Sequence, residues 1–369
     1  MIRASSHILK YQTKHKTEEL DYLTSEFQFL VQKYIDLIWC HKLELKPLLS
    51  SKLLPSSNNI THSRWKQLAY KTASEMVRSV INRKSKKKTK PIFNRVSINI
   101  DERFLDFQEG NEFDEWIKIK LPFFKDGIKR AKTISIPINH HKHSNKYRLD
   151  KTFQRKKTIK LLKKNGYYFI EFSWEGVTPK LKENGVSIGM DSGYKKLLVD
   201  SDGNQYGKEL ESIYEKISRK KQNSKAFKRS LKERNNKIGE VCNKINFKDK
   251  KEIVVENLKY VKHKSKGRIT KKFNNKLQRW IYRAVLCKLE RMSQENGVLF
   301  TQVNPAYTSQ TCSNCQTSNK ASRKGENYKC VTCGNQMDAD FNAAINILHK
   351  GVYSPLINKT KDHVFHDFK

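Results

Sequence analysis

The stretch CVTCGNQMDADFNAAINI, residues 330–347, decides the fold of the C-terminal half of this chain. It opens with two cysteines that are separated by two residues, Cys330 and Cys333. It then runs through Asp338-Ala339-Asp340 into Asn-Ala-Ala-Ile-Asn-Ile, whose small and apolar residues predict a short helix from Asp340 through Leu348. A pair of cysteines that can bind a metal ion, here called a knuckle, is therefore followed by a helix that begins with an acidic residue.

A second cysteine pair with the same spacing, Cys312 and Cys315, precedes that stretch, with fourteen residues between Cys315 and Cys330. Two such knuckles offer four thiolates, which form a closed tetrahedral set for Zn²⁺. Such a set leaves no open position for a substrate, so the metal should hold the fold and do no chemistry. The sequence predicts one structural zinc ion within 308–336, with four ligands: Cys312, Cys315, Cys330 and Cys333.

Upstream of the cysteines, apolar segments predict strands that alternate with helices. VSIGMD (186–191) and KLLVDSDGNQYG (196–207) form an antiparallel set, EIVVEN (252–257) is a further strand, and VLFTQV (298–303) is the last. Helical segments are expected at about 208–246 and 274–294. The order hairpin, helix, strand, helix, strand, helix is expected of a ribonuclease H-like α/β domain.

Three carboxylates stand out by their position in these elements. Asp191 ends an apolar strand, Glu256 follows an apolar run, and Asp340 begins the last helix. Each has an ordinary alternative, because Asp191 could form a turn, Glu256 could face solvent and Asp340 could cap its helix. Together they can meet in one pocket, where their repulsion requires cations. Two Mg²⁺ (or Mn²⁺) ions at such a site would support phosphodiester hydrolysis.

The charge of the chain points to a polyanionic partner. It has 75 Lys+Arg against 37 Asp+Glu, a formal net charge of +38, and no apolar run long enough for a membrane helix. Nucleic acid is the expected partner, and a membrane is not. The start lacks the pattern of a secretory signal, and seven cysteines with no such signal favour metal binding in a reducing compartment. Three lone cysteines are expected as buried thiols: Cys40, Cys242 and Cys287.

The basic segment 208–276 is interleaved with aromatic residues that could stack on bases but are expected mainly to pack the core. They are Tyr214, Phe227, Phe247, Tyr260 and Phe273.

The first half of the chain predicts a different architecture. A strand at 2–12 precedes helices at about 14–46 and 63–83, and a basic run at 83–91 ends the helical region. Short alternating segments follow to about residue 175 and predict a small β-barrel or sandwich. Within them the Asn165-Gly166 pair predicts a two-residue hairpin turn.

Several motifs resemble those of the transposon-encoded TnpB nucleases and the related type V CRISPR effectors. They are GMDSG, IVVENL, NPAYTSQTCSNC and YKCVTCGNQMDADFNAAINI, and the resemblance covers about 186–349. It implies a RuvC-type nuclease domain interrupted by a zinc ribbon, with Asp191, Glu256 and Asp340 as catalytic acids. The family often places an arginine between the knuckles, near the catalytic centre. Arg323 is the arginine there, and a solvated loop residue is its alternative interpretation.

The resemblance also implies which partners the chain binds and how its domains are arranged along the sequence. Guide RNA and double-stranded target DNA with a short adjacent motif would be the partners, in a monomer in the cytoplasm of a prokaryote, associated with the nucleoid. The first half departs from the commonest TnpB opening but fits a helical lobe inserted into a β-rich domain. The implied division is a wedge-like β-barrel at 1–13 and 90–184, a helical recognition domain at 14–89, a RuvC-like domain at 185–307 and 337–369, and a target nucleic-acid-binding zinc ribbon at 308–336.

These observations favour an RNA-guided DNA endonuclease. One alternative is a miniature type V CRISPR effector, whose guides would come from an array. Another is a nuclease-inactive, RNA-guided DNA-binding repressor, which should have lost catalytic acids that are present here. A third is a cut-and-paste transposase, against which the zinc ribbon directly before the last acid argues.

Overall fold

The computed structural model describes residues 1–50, 60, 62–84, 88–94, 96–121, 132–259 and 270–353. The chain divides into two compact units, Met1–Val177 and Thr178–Lys369. The predicted loop at 49–62 and the basic run at 83–91 lie partly outside the described residues. None of the described helices is long and apolar enough to cross a membrane.

The first unit combines helices with two antiparallel sheets. Its elements are β1 (Ile2–Ile8), α1 (Lys14–Trp39), α2 (Ser63–Ile81), β2 (Ser97–Ile100), β3 (Leu105–Glu109), β4 (Glu115–Lys120), β5 (Thr133–Ile138), α3 (Lys142–Arg148), β6 (Phe153–Lys164) and β7 (Tyr167–Gly176). One sheet has the order β1-β7-β6-β2 and the other β3-β4-β5. Side chains from α1, α2 and both sheets share one hydrophobic core. The hydrogen bonds form two sheets, and the predicted β-barrel is not confirmed.

Local patterns in this unit were predictive where they were strong. Asn165 and Gly166 both have positive φ, 51° and 83°, as the two-residue turn between β6 and β7 requires, so this prediction is confirmed. The predicted first helix buries one apolar face, at Leu20, Leu23, Phe27, Leu30 and Tyr34. The helix nevertheless ends at Trp39 and not near residue 46, because His41 adopts a φ of 58° that takes the backbone off the helical path.

The second unit contains a mixed five-stranded sheet and a small three-stranded one. Its elements are β8 (Val186–Asp191), β9 (Leu198–Asp200), β10 (Gln205–Tyr206), α4 (Leu210–Ser218), α5 (Lys225–Asn243), β11 (Lys250–Glu256), α6 (Lys271–Arg279), α7 (Tyr282–Glu295), β12 (Leu299–Val303), β13 (Arg323–Lys324), β14 (Asn327–Lys329), β15 (Gln336–Asp338) and α8 (Ala339–Tyr353). The large sheet has the order β10-β9-β8-β11-β12. Strands β8, β11 and β12 are parallel, whereas β9 and β10 form the antiparallel edge. The predicted order of strands and helices is confirmed.

Each of the two long predicted helices is in fact a pair. The segment 208–246 divides between α4 and α5, where Asn223 has a φ of 65° and the Ser224 side chain caps the second helix by accepting from the Phe227 N–H. The segment 274–294 divides between α6 and α7 at Trp280 and Ile281. Apolar residues continue across the second break, so the pattern alone did not reveal it, whereas the first break lies in the polar segment 218–225.

Burial corrects two of the three predictions for lone cysteines, one in each unit. Cys242 is buried, but Cys40 and Cys287 are exposed. Cys287 lies on α7 about 200° around the helix from the buried Val285 and Leu289, so it faces solvent.

Among the aromatic residues of the basic segment, Tyr214 and Phe247 are buried and pack the core as expected. The side chains of Tyr260 and Phe273 lie outside the described residues.

Helix α8 lies directly against strand β8, and this packing positions Asp340 at the start of the helix. Gly189, in the middle of β8, lies against the backbone of α8, where an added Cβ would meet the Leu348 nitrogen at 2.6 Å and the Ala344 carbonyl closer still. Glycine is required at this position because any side chain would push the helix off the strand. The helix that carries Asp340 is therefore held directly on the strand that ends in Asp191.

Candidate active site and metal centre

Two of the predicted acids come together through the parallel pairing of β8 and β11. Met190 pairs with Val255 in the register of these strands, so Asp191 and Glu256 end neighbouring strands at the same edge of the sheet. Helix α8 begins at Ala339 and brings Asp340 to the same side. Two strand ends and a helix start therefore lie at one edge of the sheet, and the roles of the three acids stay a prediction.

The electrostatics show that the three carboxylates interact. Burial raises the pKa of Asp191 well above its usual range, and the negative charges of Glu256 and Asp340 raise it further. Burial also raises the pKa of Glu256, against the lowering effects of a hydrogen bond from Thr308 and the positive charges of Lys350 and Arg323. Crowded carboxylates of this kind favour a bound divalent cation, for which carboxylate oxygens are suitable ligands.

Arg323 is directed into this site and is not a free loop side chain. It begins β13, and its Nη2 donates to Asp340 Oδ1 at 2.9 Å while its Nε donates to the Gly325 carbonyl at 3.2 Å. Its positive charge also opposes the rise that burial causes in the pKa values of Asp191 and Glu256. The guanidinium is therefore the cation that all three acids share within the described part of the chain.

Asp338 and Asp340 have distinct roles at the start of α8. Asp338 Oδ1 accepts from the backbone N–H groups of Asp340 (3.0 Å) and Phe341 (3.1 Å), which makes Asp338 the N-cap. Its Oδ2 accepts from the buried Lys196 ammonium, which lies 3.9 Å from Asp340 Oδ2. The alternative that Asp340 itself caps the helix is therefore wrong, and Asp338 has a basic partner in Lys196.

The four predicted zinc ligands form one compact cluster. The sulfur atoms of Cys312, Cys315, Cys330 and Cys333 all lie within 4.8 Å of one another, and two pairs approach to 3.6 Å. Four sulfurs at about 2.3 Å from a tetrahedral zinc are about 3.8 Å apart, so the set fits the ion. Within the described residues, the three carboxylates are not gathered into a cluster of this kind.

The two knuckles share one backbone geometry. The Cys312 carbonyl accepts from the Gln316 N–H at 3.0 Å, and the Cys330 carbonyl accepts from the Gly334 N–H at 3.1 Å. Gln316 and Gly334, each directly after the second cysteine of its pair, have φ values of 60° and 71°. The same turn is thus built twice, which orients both cysteine pairs toward a common centre.

Four further polar residues connect the ribbon to the acids and were missed in the sequence. They are Lys196, Thr308, Asn342 and Asn346. On α8, the Asn342 side chain donates to the Thr311 carbonyl at 2.8 Å, and the Asn346 side chain donates to the carbonyls of Thr308 (3.0 Å) and Thr311 (2.7 Å). Two asparagines four residues apart share one face of this helix, and this spacing was the available signal.

Comparison with known proteins relates this chain to RNA-guided nucleases. The family model described as "Cas12f1-like, TNB domain" matches residues 282–347, from α7 through the knuckles into α8. The chain is 39% identical over 72 residues to a CRISPR-associated endodeoxyribonuclease Cas12f1 of Sulfoacidibacillus thermotolerans, which is 19% of this chain and 17% of that protein. It is 34% identical over 105 residues to a TnpB-like protein of Aquifex aeolicus (strain VF5), which is 27% of this chain and 34% of that protein.

The fold is similar over a longer range. A cryo-EM structure of a Cas12f1–sgRNA–target DNA complex superposes with a TM-score of 0.54 at 15% sequence identity, covering 91% of this chain and 83% of that one. The chain is a relative of the TnpB proteins and of the type V CRISPR effectors. The matched segments span well under two thirds of the length of the two curated relatives.

Proposed function

We propose that this protein is an RNA-guided DNA endonuclease with a RuvC-like, ribonuclease H-like active site. The observation that carries the proposal is the convergence of Asp191, Glu256 and Asp340 around Arg323 at one edge of the mixed sheet. The relatives named as CRISPR-associated endodeoxyribonucleases and TnpB-like proteins support the same function.

The three acids and Arg323 have different roles in this proposal. Asp191, Glu256 and Asp340 would hold two Mg²⁺ (or Mn²⁺) ions, which supply an activated water and stabilise the leaving oxygen of a phosphodiester when bound. Arg323 presents a planar, permanently charged guanidinium that suits the non-bridging oxygens of the scissile phosphate. Because Arg323 lies between the two cysteine knuckles, a ribbon folded around zinc would determine the position of the guanidinium.

The remaining regions would bind nucleic acid. A net charge of +38 suits a guide RNA and its DNA target, with sequence choice delegated to base pairing and the protein holding the heteroduplex by its backbone. In this proposal the β-rich and helical parts of the first unit act as wedge and recognition domains and read a short motif beside the target. The ribbon at 308–336 handles target DNA beside the nuclease domain.

The proposal is tested by the RNA that copurifies with the full-length protein. Sequencing should reveal a discrete RNA with a variable guide segment, and reprogramming that segment should redirect cleavage to a matched DNA duplex. A protein that copurifies with no discrete RNA, and that cuts matched and mismatched duplexes alike, would contradict RNA guidance.

The gene that encodes the guide distinguishes the two closest candidates. A guide that is transcribed from a transposon end indicates a TnpB nuclease, whereas a guide from a repeat array indicates a miniature type V effector. Both remain candidates because the chain is similar to a Cas12f1 and to a TnpB-like protein. The nuclease-inactive alternative is disfavoured because all three acids are retained and converge.

A further inference from the structure

We propose that Thr308 is a positioning residue of the nuclease site, which fixes Glu256 relative to the helix that carries Asp340 and so sets the affinity for the divalent cation. The inference rests on the proposed function, because Glu256 and Asp340 are taken as cation ligands. It concerns a residue in the connection between β12 and the first knuckle, outside the acids and the cysteines.

The Thr308 side chain is enclosed and aimed at Glu256. The residue is 1% exposed, and its hydroxyl donates a hydrogen bond to Glu256 Oε1. The Pro305 carbonyl, 3.0 Å away, is the other acceptor within reach of the same hydroxyl. A hydroxyl has one proton, and an ionised carboxylate is the stronger acceptor, so the bond to Glu256 is the one that matters.

The backbone of Thr308 is held in turn by α8. The Asn346 side chain, 3% exposed, donates to the Thr308 carbonyl at 3.0 Å and to the Thr311 carbonyl at 2.7 Å. Asn346 lies six residues after Asp340 on the same helix. Glu256, Thr308, Asn346 and Asp340 therefore form one continuous connection, in which a strand-end acid and a helix-start acid are tied through a single buried threonine.

This connection has a definite physical consequence. Glu256 ends β11, and its side chain can rotate unless another group holds it. The hydroxyl restricts one carboxylate oxygen and leaves the other free to bind a cation. Removing a residue that orients a metal ligand typically costs about 10-fold to 100-fold in metal affinity. Loss of the Thr308 hydroxyl should therefore weaken cation binding without removing any ligand.

The same protein contains a matched control. Thr301 Oγ1 donates to Glu252 Oε1 at 2.6 Å, between β12 and β11 and away from the strand end that carries Glu256. Thr301→Val deletes the same kind of threonine–glutamate bond, and its glutamate also belongs to β11. Its effect on folding provides the reference for Thr308→Val, and it should leave cation binding close to wild type.

The experiment is a calorimetric Mn²⁺ titration of the full-length, zinc-loaded protein, with melting temperature and zinc content measured in parallel. We expect Thr308→Val to weaken Mn²⁺ binding by roughly tenfold or more. Thr308→Ser, which keeps the hydroxyl, should restore binding, and Thr301→Val should not weaken it. In a Glu256→Gln background, Thr308→Val should add nothing, because it acts through Glu256.

Equal Mn²⁺ affinity in Thr308→Val and Thr301→Val overturns the inference. Should Thr308→Val not fold, Thr308→Ala and Thr308→Ser differ only in the hydroxyl, and equal affinity in that pair overturns it as well. The concentration of Mg²⁺ that gives half-maximal DNA cleavage should follow the same order. A wild-type protein that binds Mn²⁺ but cuts no DNA refutes the proposed function, while the titrations still decide the role of Thr308.

Discussion

Asp338 provides a stability prediction whose size follows from three contacts. Its carboxylate caps α8 through the N–H groups of Asp340 and Phe341 and pairs with the buried Lys196. Asp338→Ala removes all of these contacts. Asp338→Asn keeps the cap, because asparagine caps helices about as well as aspartate, but loses the ion pair. The two variants therefore separate capping from charge.

The magnitudes follow from the contacts. Loss of the cap costs about 1 kcal/mol, and loss of a negative charge at a helix N-terminus costs about 0.3–1 kcal/mol. When the Asp338 carboxylate is lost, the acidic partner left to Lys196 among the described residues is the more distant Asp340, at 3.9 Å. A hydrogen bond to a charged group contributes about 1.5–3 kcal/mol, and the partial exposure of Asp338 places this one at the lower end. We expect about 3 kcal/mol for Asp338→Ala and about 2 kcal/mol for Asp338→Asn.

The assay is urea denaturation of the full chain, with hydrogen exchange of the α8 amides as the local measurement. Burial would raise the pKa of Asp338, but the Lys196 bond and the cap N–H groups outweigh it and lower the pKa below 3.8. The stabilisation is therefore present above about pH 3.8 and is lost as the pH falls through the folded-state pKa. Equal stability of wild type and Asp338→Ala at neutral pH would refute this reasoning.

Three further predictions concern zinc, packing and pH. Purified protein should contain one zinc per chain by mass spectrometry, and Cys330→Ala should lose it together with amide protection over 308–336; a zinc-free wild type with full protection would contradict this. Gly189→Ala should destabilise the second unit by about 3 kcal/mol or more, because the new Cβ meets the α8 backbone, and an unchanged melting temperature would argue against that packing. Burial, with the charges of His141 and His140, lowers the pKa of His7 from 6.5 to about 4, so the unfolded chain takes up the proton first. The first unit should therefore lose up to about 3 kcal/mol of unfolding free energy as the pH falls from 6.5 to 4, and the same titration of His7→Phe should be flatter.

The sequence predicted the parts of the site that depend on local pattern. The apolar runs that precede Asp191 and Glu256 were enough to locate the two strands. The parallel pairing of these strands brings the two acids together. The repeated cysteine spacing likewise predicted the cluster of four sulfurs that the structure contains. These features need only a few consecutive residues, so neighbouring sequence determines them.

The missed features depend on contacts between distant residues. Thr308 reaches Glu256 across 52 residues, so no local pattern marks its side chain as part of the site. Arg323 reaches Asp340 across 17 residues, and only the family resemblance indicated it as a candidate. The sequence suggested Asp340 as a possible cap, and only the direction of the backbone N–H groups shows that Asp338 has that role. The break at Trp280 and Ile281 also escaped prediction, because apolar residues continue through it.

The most direct test of the account compares cleavage with binding in three charge-neutralised variants. Asp191→Asn, Glu256→Gln and Asp340→Asn should each bind a guide-matched DNA duplex nearly as well as wild type, because the backbone contacts that hold the heteroduplex are separate from the acids. Each should lose cleavage in saturating Mg²⁺, because a neutral amide does not balance the charge of the cation as a carboxylate does. If any one of the three cleaves matched DNA near the wild-type rate, the three acids do not form a single catalytic site.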